Sequence, residues 1–214
     1  MPTHRLLDAA NEAAKGSARI GTTGKGIGPA YTDKVSRNGL RVGDLELDFE
    51  NRYNAARNRH LLQLKQMGFE IPADFEATEQ LWLQAAKSLE RFLLTDTDWL
   101  INDALRQGKK VLAEGAQGTM LDVDFGSYPF VTSSNTVTAG ACVGLGVAPR
   151  NIGDVYGIFK AYCTRVGAGP FPTELFSADG KTMRDRGHEY GAVTGRERRC
   201  GWIDLVALRH AIQI

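Results

Sequence analysis

Three stretches of this chain combine residue types and spacings that suit a phosphate, the edge of a base and a carboxylate. The first is Gly21-Thr22-Thr23-Gly24-Lys25-Gly26-Ile27-Gly28-Pro29-Ala30-Tyr31. Its closely spaced glycines let backbone amides converge on an anion, while the threonine hydroxyls and Lys25 add donors and charge. That chemistry suits a phosphate. Lys25 is followed by Gly26 rather than by Ser or Thr, so the segment is not a Walker loop and fits a monophosphate better than a triphosphate. A plain flexible connector would share the same composition.

The second stretch has two parts. Glu114-Gly115-Ala116-Gln117-Gly118 presents an amide side chain that can both donate to and accept from a base edge. After Tyr128-Pro129-Phe130-Val131 come Thr132, Ser133, Ser134, Asn135 and Thr136, a run of hydroxyl and amide groups suited to phosphate oxygens. The alternatives are a tight turn around a structural Gln and a helix cap. The third stretch, Thr194-Gly195-Arg196-Glu197-Arg198-Arg199, sets three guanidinium groups directly after a glycine. Arginine grips a carboxylate or phosphate through two parallel hydrogen bonds, so a small dicarboxylic or phosphorylated substrate is indicated. A solvated charged turn or an RNA contact remains open, although no aromatics interleave with these arginines. His4, His60, His188 and His210 form no metal or triad motif, and no Gly-x-Ser-x-Gly elbow occurs.

Elements must place these loops. Across 48–67, Phe49, Tyr53, Ala56, Leu61, Leu64 and Met67 recur near a 3.6-residue period and predict an amphipathic helix. Pro72 breaks the chain, and 78–94 predicts a second helix with Thr78 as its cap. A third, 99–107, stops at Gly108. Short interior strands are expected at 109–113, running into the Gln117 loop, and at 155–162, running into the Pro- and Gly-rich loop 165–173. Helix, strand and loop in this order indicate α/β. No linker or repeat marks an internal boundary. The helical pattern at 204–214 has no stop signal, so the chain reads as an excerpt.

The 214 residues are 43% hydrophobic and 24% charged, the balance of a globular domain. With 26 basic and 25 acidic residues, the net charge of +1 provides no broad field for nucleic acid or a membrane surface. Cys142, Cys163 and Cys200 are widely spaced and odd in number, which suggests a reducing cytoplasm. Neither a signal peptide nor a membrane-length apolar run is visible.

Five segments taken in order resemble the central part of the adenylosuccinate synthetase family: 20–31, 114–118, 128–136, 164–173 and 194–202. The resemblance runs over essentially the whole chain, as about the middle half of a family member. It implies an α/β fold related to P-loop NTPases, with a mainly parallel central sheet and flanking helices. Residues 1–214 would be the central portion of one such domain, including a helical insertion at about 44–107, without the P-loop segment and the carboxy-terminal part. The implied activity is the GTP- and Mg²⁺-dependent ligation of IMP and L-aspartate in AMP synthesis, by a cytoplasmic homodimer.

By position, the resemblance implies IMP contacts at Thr23, Arg37, Gln117, Thr132 and Arg196. Gln117 would face the reacting purine edge, and Arg37 would reach the neighbouring subunit's IMP phosphate. The aspartate loop would be Ala192, Val193, Thr194, Gly195, Arg196, Glu197 and Arg198, with Arg198 also near GTP. Val166 and Gly167 would lie beside the ribose. Val193 departs from the pattern, because many members have threonine there. The family's catalytic Asp and His, its GTP and Mg²⁺ loop and its guanine-reading segment have no counterpart in this chain. These residues alone are therefore expected to be inactive, with a noncatalytic folding or dimerisation piece as the alternative.

Overall fold

A computed structural model describes residues 1–92, 94–191 and 195–214. Its contacts gather into two compact units, Met1–Thr95 and Asp96–Ile214.

The first unit is helical: α1 (Pro2–Ala14), α2 (Ile27–Val35), α3 (Phe49–Gln66) and α4 (Phe75–Lys87). On α3 the buried residues Tyr53, Ala56, His60 and Leu64 follow three- and four-residue steps, so they share one face. Leu64 packs there against Leu7 and Ala10 of α1, with Leu6, Leu61 and Phe69 around them. Full burial of such a leucine contributes roughly 2 kcal/mol. Farther along, Tyr53 stacks on Trp82 of α4 with ring centroids 5.5 Å apart. The helix expected at 48–67 is thus α3.

α4 differs from the expected 78–94 at both ends. Asp74 rather than Thr78 precedes its first turn, since the Thr78 amide already bonds back to the Asp74 carbonyl at 3.0 Å. Near its end the Ser88 hydroxyl donates to the Ala85 carbonyl at 2.7 Å, and the chain tightens into the 3₁₀ turn Ser88–Arg91.

The second unit holds α5 (Thr97–Arg106), α6 (Ala139–Leu145), β1 (Tyr162–Arg165), α7 (Ala178–Arg186), β2 (Arg199–Trp202) and α8 (Leu205–Gln213). α5 corresponds to the helix expected at 99–107 and is followed by Gly108 at φ +74. The fold is mixed α and β. Among the described residues its one sheet is the antiparallel pair β1–β2, with Tyr162 opposite Trp202 and Thr164 opposite Cys200. Of the segments expected as interior strands at 109–113 and 155–162, only Tyr162 enters a ladder, as the first residue of β1; 109–113 and 155–161 form none, and Leu112 and Ile158 are 93% and 97% exposed. A strand is held by bonds to a neighbour, and no described strand or bridge pairs with these two. α8 begins on a cap unanticipated from sequence, Asp204 Oδ1 accepting from the Val206 and Ala207 amides at 3.0 and 2.9 Å. Among the described residues, no helix is long and apolar enough to cross a membrane.

Candidate functional site

In the first unit the glycine loop runs from α1 into α2. Much of its expected anion-binding backbone is already committed. Asp8 Oδ2 accepts from the Gly26 amide at 2.9 Å and Asp8 Oδ1 from the Thr22 hydroxyl at 2.9 Å. Glu12 Oε2 accepts from the Gly21 amide at 2.7 Å. Burial opposes ionisation of Glu12, but the Gly21 and Thr22 amides outweigh it and hold its carboxyl below the usual range. The expectation of many amides converging on a ligand is therefore corrected: two carboxylates of α1 clamp the loop base. Thr23, Gly24 and Lys25 are left exposed at its tip. Gly26 is required where the loop meets α1, because a Cβ there would stand 2.6 Å from the His4 carbonyl carbon.

α2 then fixes Arg37, which follows its carboxy-terminal end, is exposed, and has φ +64. The helix is pinned through Asp33, buried between α1 and α3. His4 Nε2 and His60 Nε2 lie 2.8 and 2.9 Å from Asp33 Oδ2, and Arg59 donates to Oδ1 at 3.1 Å. Thr3 Oγ1 stands 2.8 Å from His60 Nδ1. Burial pushes both histidines below the ordinary imidazole value. For Asp33 burial works the other way, yet the bond from His4 and the nearby charges hold it low. These three residues have metal-ligand chemistry. An ion about 2.1 Å from each ligand atom would hold those atoms roughly 3.4 Å apart, wider than the direct bonds seen here. They act as a staple on α2.

In the second unit, Gln117 is exposed and has φ +64, a left-handed conformation that costs a non-glycine residue about 1 kcal/mol. Its loop is joined to the hydroxyl-rich loop by the Thr136 hydroxyl, which donates to the Gly118 carbonyl at 2.8 Å. Asp122, fully buried, binds the two loops further. Its Oδ1 accepts from the Asp124 and Phe125 amides, and its Oδ2 accepts from the Thr136 and Val137 amides at 2.6 and 3.2 Å. Burial alone would raise this carboxyl; the backbone amides bring it below its usual value. The Thr132 amide is pinned to the Leu121 carbonyl at 2.8 Å. Gln117 and Thr132 thus stand on loops with one shared support. Asp122 was missed from sequence, although an Asp with backbone donors two and three positions on is a recognisable turn former.

The arginine-rich segment leads into β2. Arg199 forms a two-pronged pair with Glu174 and donates to the Gly167 and Gly169 carbonyls at 3.2 and 2.9 Å, so it holds the loop of Val166 and Gly167. Arg198 donates to Glu189 Oε2 at 2.9 Å, while Lys160 Nζ and Tyr162 Oη donate to Glu189 Oε1 at 2.5 and 2.6 Å. The bond to Glu189 pushes the Tyr162 hydroxyl up to about 12. Gly195, Arg196 and Glu197 are exposed, with Gly195 at φ +64 and Glu197 3.2 Å from Arg184. Ala192, Val193 and Thr194 lie outside the described residues.

The sequence profile of adenylosuccinate synthetase matches residues 1–214. The chain belongs to the adenylosuccinate synthetase family. It is 68% identical to the adenylosuccinate synthetase of Porphyromonas gingivalis and 64% identical to that of Bacteroides thetaiotaomicron, covering all of this chain and 50% of each relative. A solved structure, that of fully ligated adenylosuccinate synthetase from Plasmodium falciparum, matches with a TM-score of 0.84 and 40% identity. That match covers 94% of this chain and 47% of the other. The chain therefore spans about half the length of the synthetases it matches.

Proposed function

We propose that these 214 residues supply the IMP- and aspartate-binding share of an adenylosuccinate synthetase, a cytoplasmic homodimeric ligase that joins IMP to L-aspartate with GTP in AMP synthesis. The bonding of the Gln117 and Thr132 loops through Asp122 and the Gly118–Thr136 contact supports this reading most directly. It provides one base-reading amide and one phosphate-binding hydroxyl on a common frame. Thr132 and Thr23 bind the 5′-phosphate, Gln117 faces the purine 6-position, and Val166 and Gly167 border the ribose. Arg37 serves the IMP phosphate in the neighbouring subunit. The loop 192–198 receives aspartate, with Arg196 gripping its carboxylate and touching IMP, and Arg198 lying between aspartate and GTP.

In this reaction the purine 6-oxygen is phosphorylated by GTP, and the aspartate amine displaces that phosphate. Charge builds on phosphoryl and carboxylate oxygens, so fixed donors and guanidinium groups lower the barrier by positioning and electrostatic stabilisation. Mg²⁺ belongs to the family's chemistry, but the described metal-capable cluster does not fit it. His4, Asp33 and His60 offer two nitrogens and one oxygen already bonded together, whereas Mg²⁺ takes an octahedron of oxygens.

The two compact units form parts of one domain in the complete enzyme. There the apolar segments 109–113 and 155–161 become strands of the mainly parallel sheet. The 214 residues alone do not catalyse.

Calorimetry on the 214-residue chain tests the binding claim: IMP should give saturable binding and GTP much weaker binding, and GTP binding equal to or tighter than IMP would refute it. Activity is tested in an exchange enzyme, in which these residues replace the matched half of the Porphyromonas gingivalis synthetase. Turnover there, with loss on Gln117→Ala, is the expected result. If IMP leaves thermal stability unchanged while sedimentation shows a dimer, the noncatalytic folding and dimerisation reading is correct instead.

A further inference from the structure

Arg165 is the last residue of β1, and its side chain meets two of the proposed nucleotide loops. Its Nη2 donates to the Phe130 carbonyl at 2.8 Å and its Nη1 to the Ser127 hydroxyl at 3.2 Å, both beside Thr132 in sequence. On the other side its Nε donates to the Ala168 carbonyl at 2.8 Å, next to Gly167. The two loops also come close at Gly169, where φ is +106. A Cβ there would stand 2.5 Å from Arg165 Nη2 and 2.7 Å from Phe130 Cβ. Only a planar fork with donors on three nitrogens reaches all of these acceptors at once.

The charge on this fork is also unmatched. Arg199 beside it is paired with Glu174, but among the described residues Arg165 forms no ion pair and its partners are neutral oxygens. Burial, reinforced by the charge of Arg199, holds the guanidinium below its ordinary pKa. Leaving a half-buried cation on carbonyls makes sense where an anion comes to the loops it holds.

We propose that Arg165 is a positioning residue. It fixes the spacing between the loop of Thr132 and the loop of Val166 and Gly167, so that phosphate and ribose contacts fall on one nucleotide. This inference rests on the nucleotide reading above for its ligand, but the coupling of the loops stands on geometry alone. A misplacement of about 1 Å at such loops is enough to cost on the order of 100-fold.

Two measurements separate these layers. Hydrogen exchange without ligand compares the parent chain with Arg165→Met and Arg165→Lys. In both variants, amides of 127–132 and 166–169 should speed up together while the β1–β2 ladder stays protected. Acceleration of one loop alone, or of neither, overturns the coupling. In the exchange enzyme, Arg165→Lys should raise the KM for IMP about 10-fold or more with kcat within about threefold and the KM for GTP unchanged. Millimolar ethylguanidinium should partly restore the KM of Arg165→Met. A fall in kcat with an unchanged KM, or equal losses for IMP and GTP, overturns the positioning role. Coupled loops in a parent chain that fails to bind IMP would instead refute the nucleotide reading and leave the strut intact.

Discussion

The two units differ in what backs their proposed site residues. In the first, α2 is fixed by a closed set of buried side chains, His4, Asp33 and His60, backed by the apolar packing of Leu7, Ala10 and Leu64. In the second, buried apolar residues are few, with Val147 and Cys200 the described examples. Loops there are held by charged side chains reaching backbone oxygens and amides: Asp122, Arg165 and Arg199. An apolar core resists deformation because any void loses contacts, whereas a charged strut fails when its one partner leaves. The first unit sets its carboxylate-clamped glycine loop on an apolar core, whereas the second relies on struts with little apolar packing behind them.

The largest effects should come where each device is cut at its centre. Leu64→Ala should destabilise the first unit by about 3 kcal/mol, seen as a fall in the denaturation midpoint and faster exchange across α1 and α3. Asp122→Ala leaves several amides without an acceptor and should lower stability by about 2 kcal/mol. Its faster exchange should be confined to 117–137, and uniform acceleration across both units would erase the contrast drawn here.

A middle-sized effect separates the units by pH. Unfolded imidazoles take up protons below about pH 6.5, while His4 and His60 resist protonation when folded. Their contribution is complete above that value and is lost as pH falls from it toward the folded pKa. Melting between pH 7.5 and 5.5 should drop by a few degrees, and His4→Asn with His60→Asn should flatten that slope. Glu174→Gln should come next: it weakens the hold of Arg199 on the Gly167 loop and raises the KM for IMP in the exchange enzyme about threefold. Smallest of all, Arg106→Ala removes an exposed pair with Asp103 on α5 and should change stability by about 0.3 kcal/mol or less.

The sequence made α3, α5 and the loops around Thr23, Gln117 and Thr132 legible, because helical period and loop composition are local signals. It did not disclose Asp8 and Glu12 as the clamps of the glycine loop, since their partners lie beyond the end of α1. Arg165 gives no signal in the sequence, and the substrate grip read for the arginine cluster does not anticipate that Arg199 pairs with Glu174. An arginine's acceptors 30 or more residues away leave no trace in spacing. The apolar runs 109–113 and 155–161 carry strand composition, but composition specifies no neighbour, and ladder bonds need one.

Position 117 sets durability against chemistry. Gln117→Gly would ease the backbone at φ +64 and could leave the chain as hardy or hardier than before, yet it would strip away the amide proposed to meet the purine. Selection for heat tolerance alone would tend to favour the glycine, and selection for turnover would keep the glutamine.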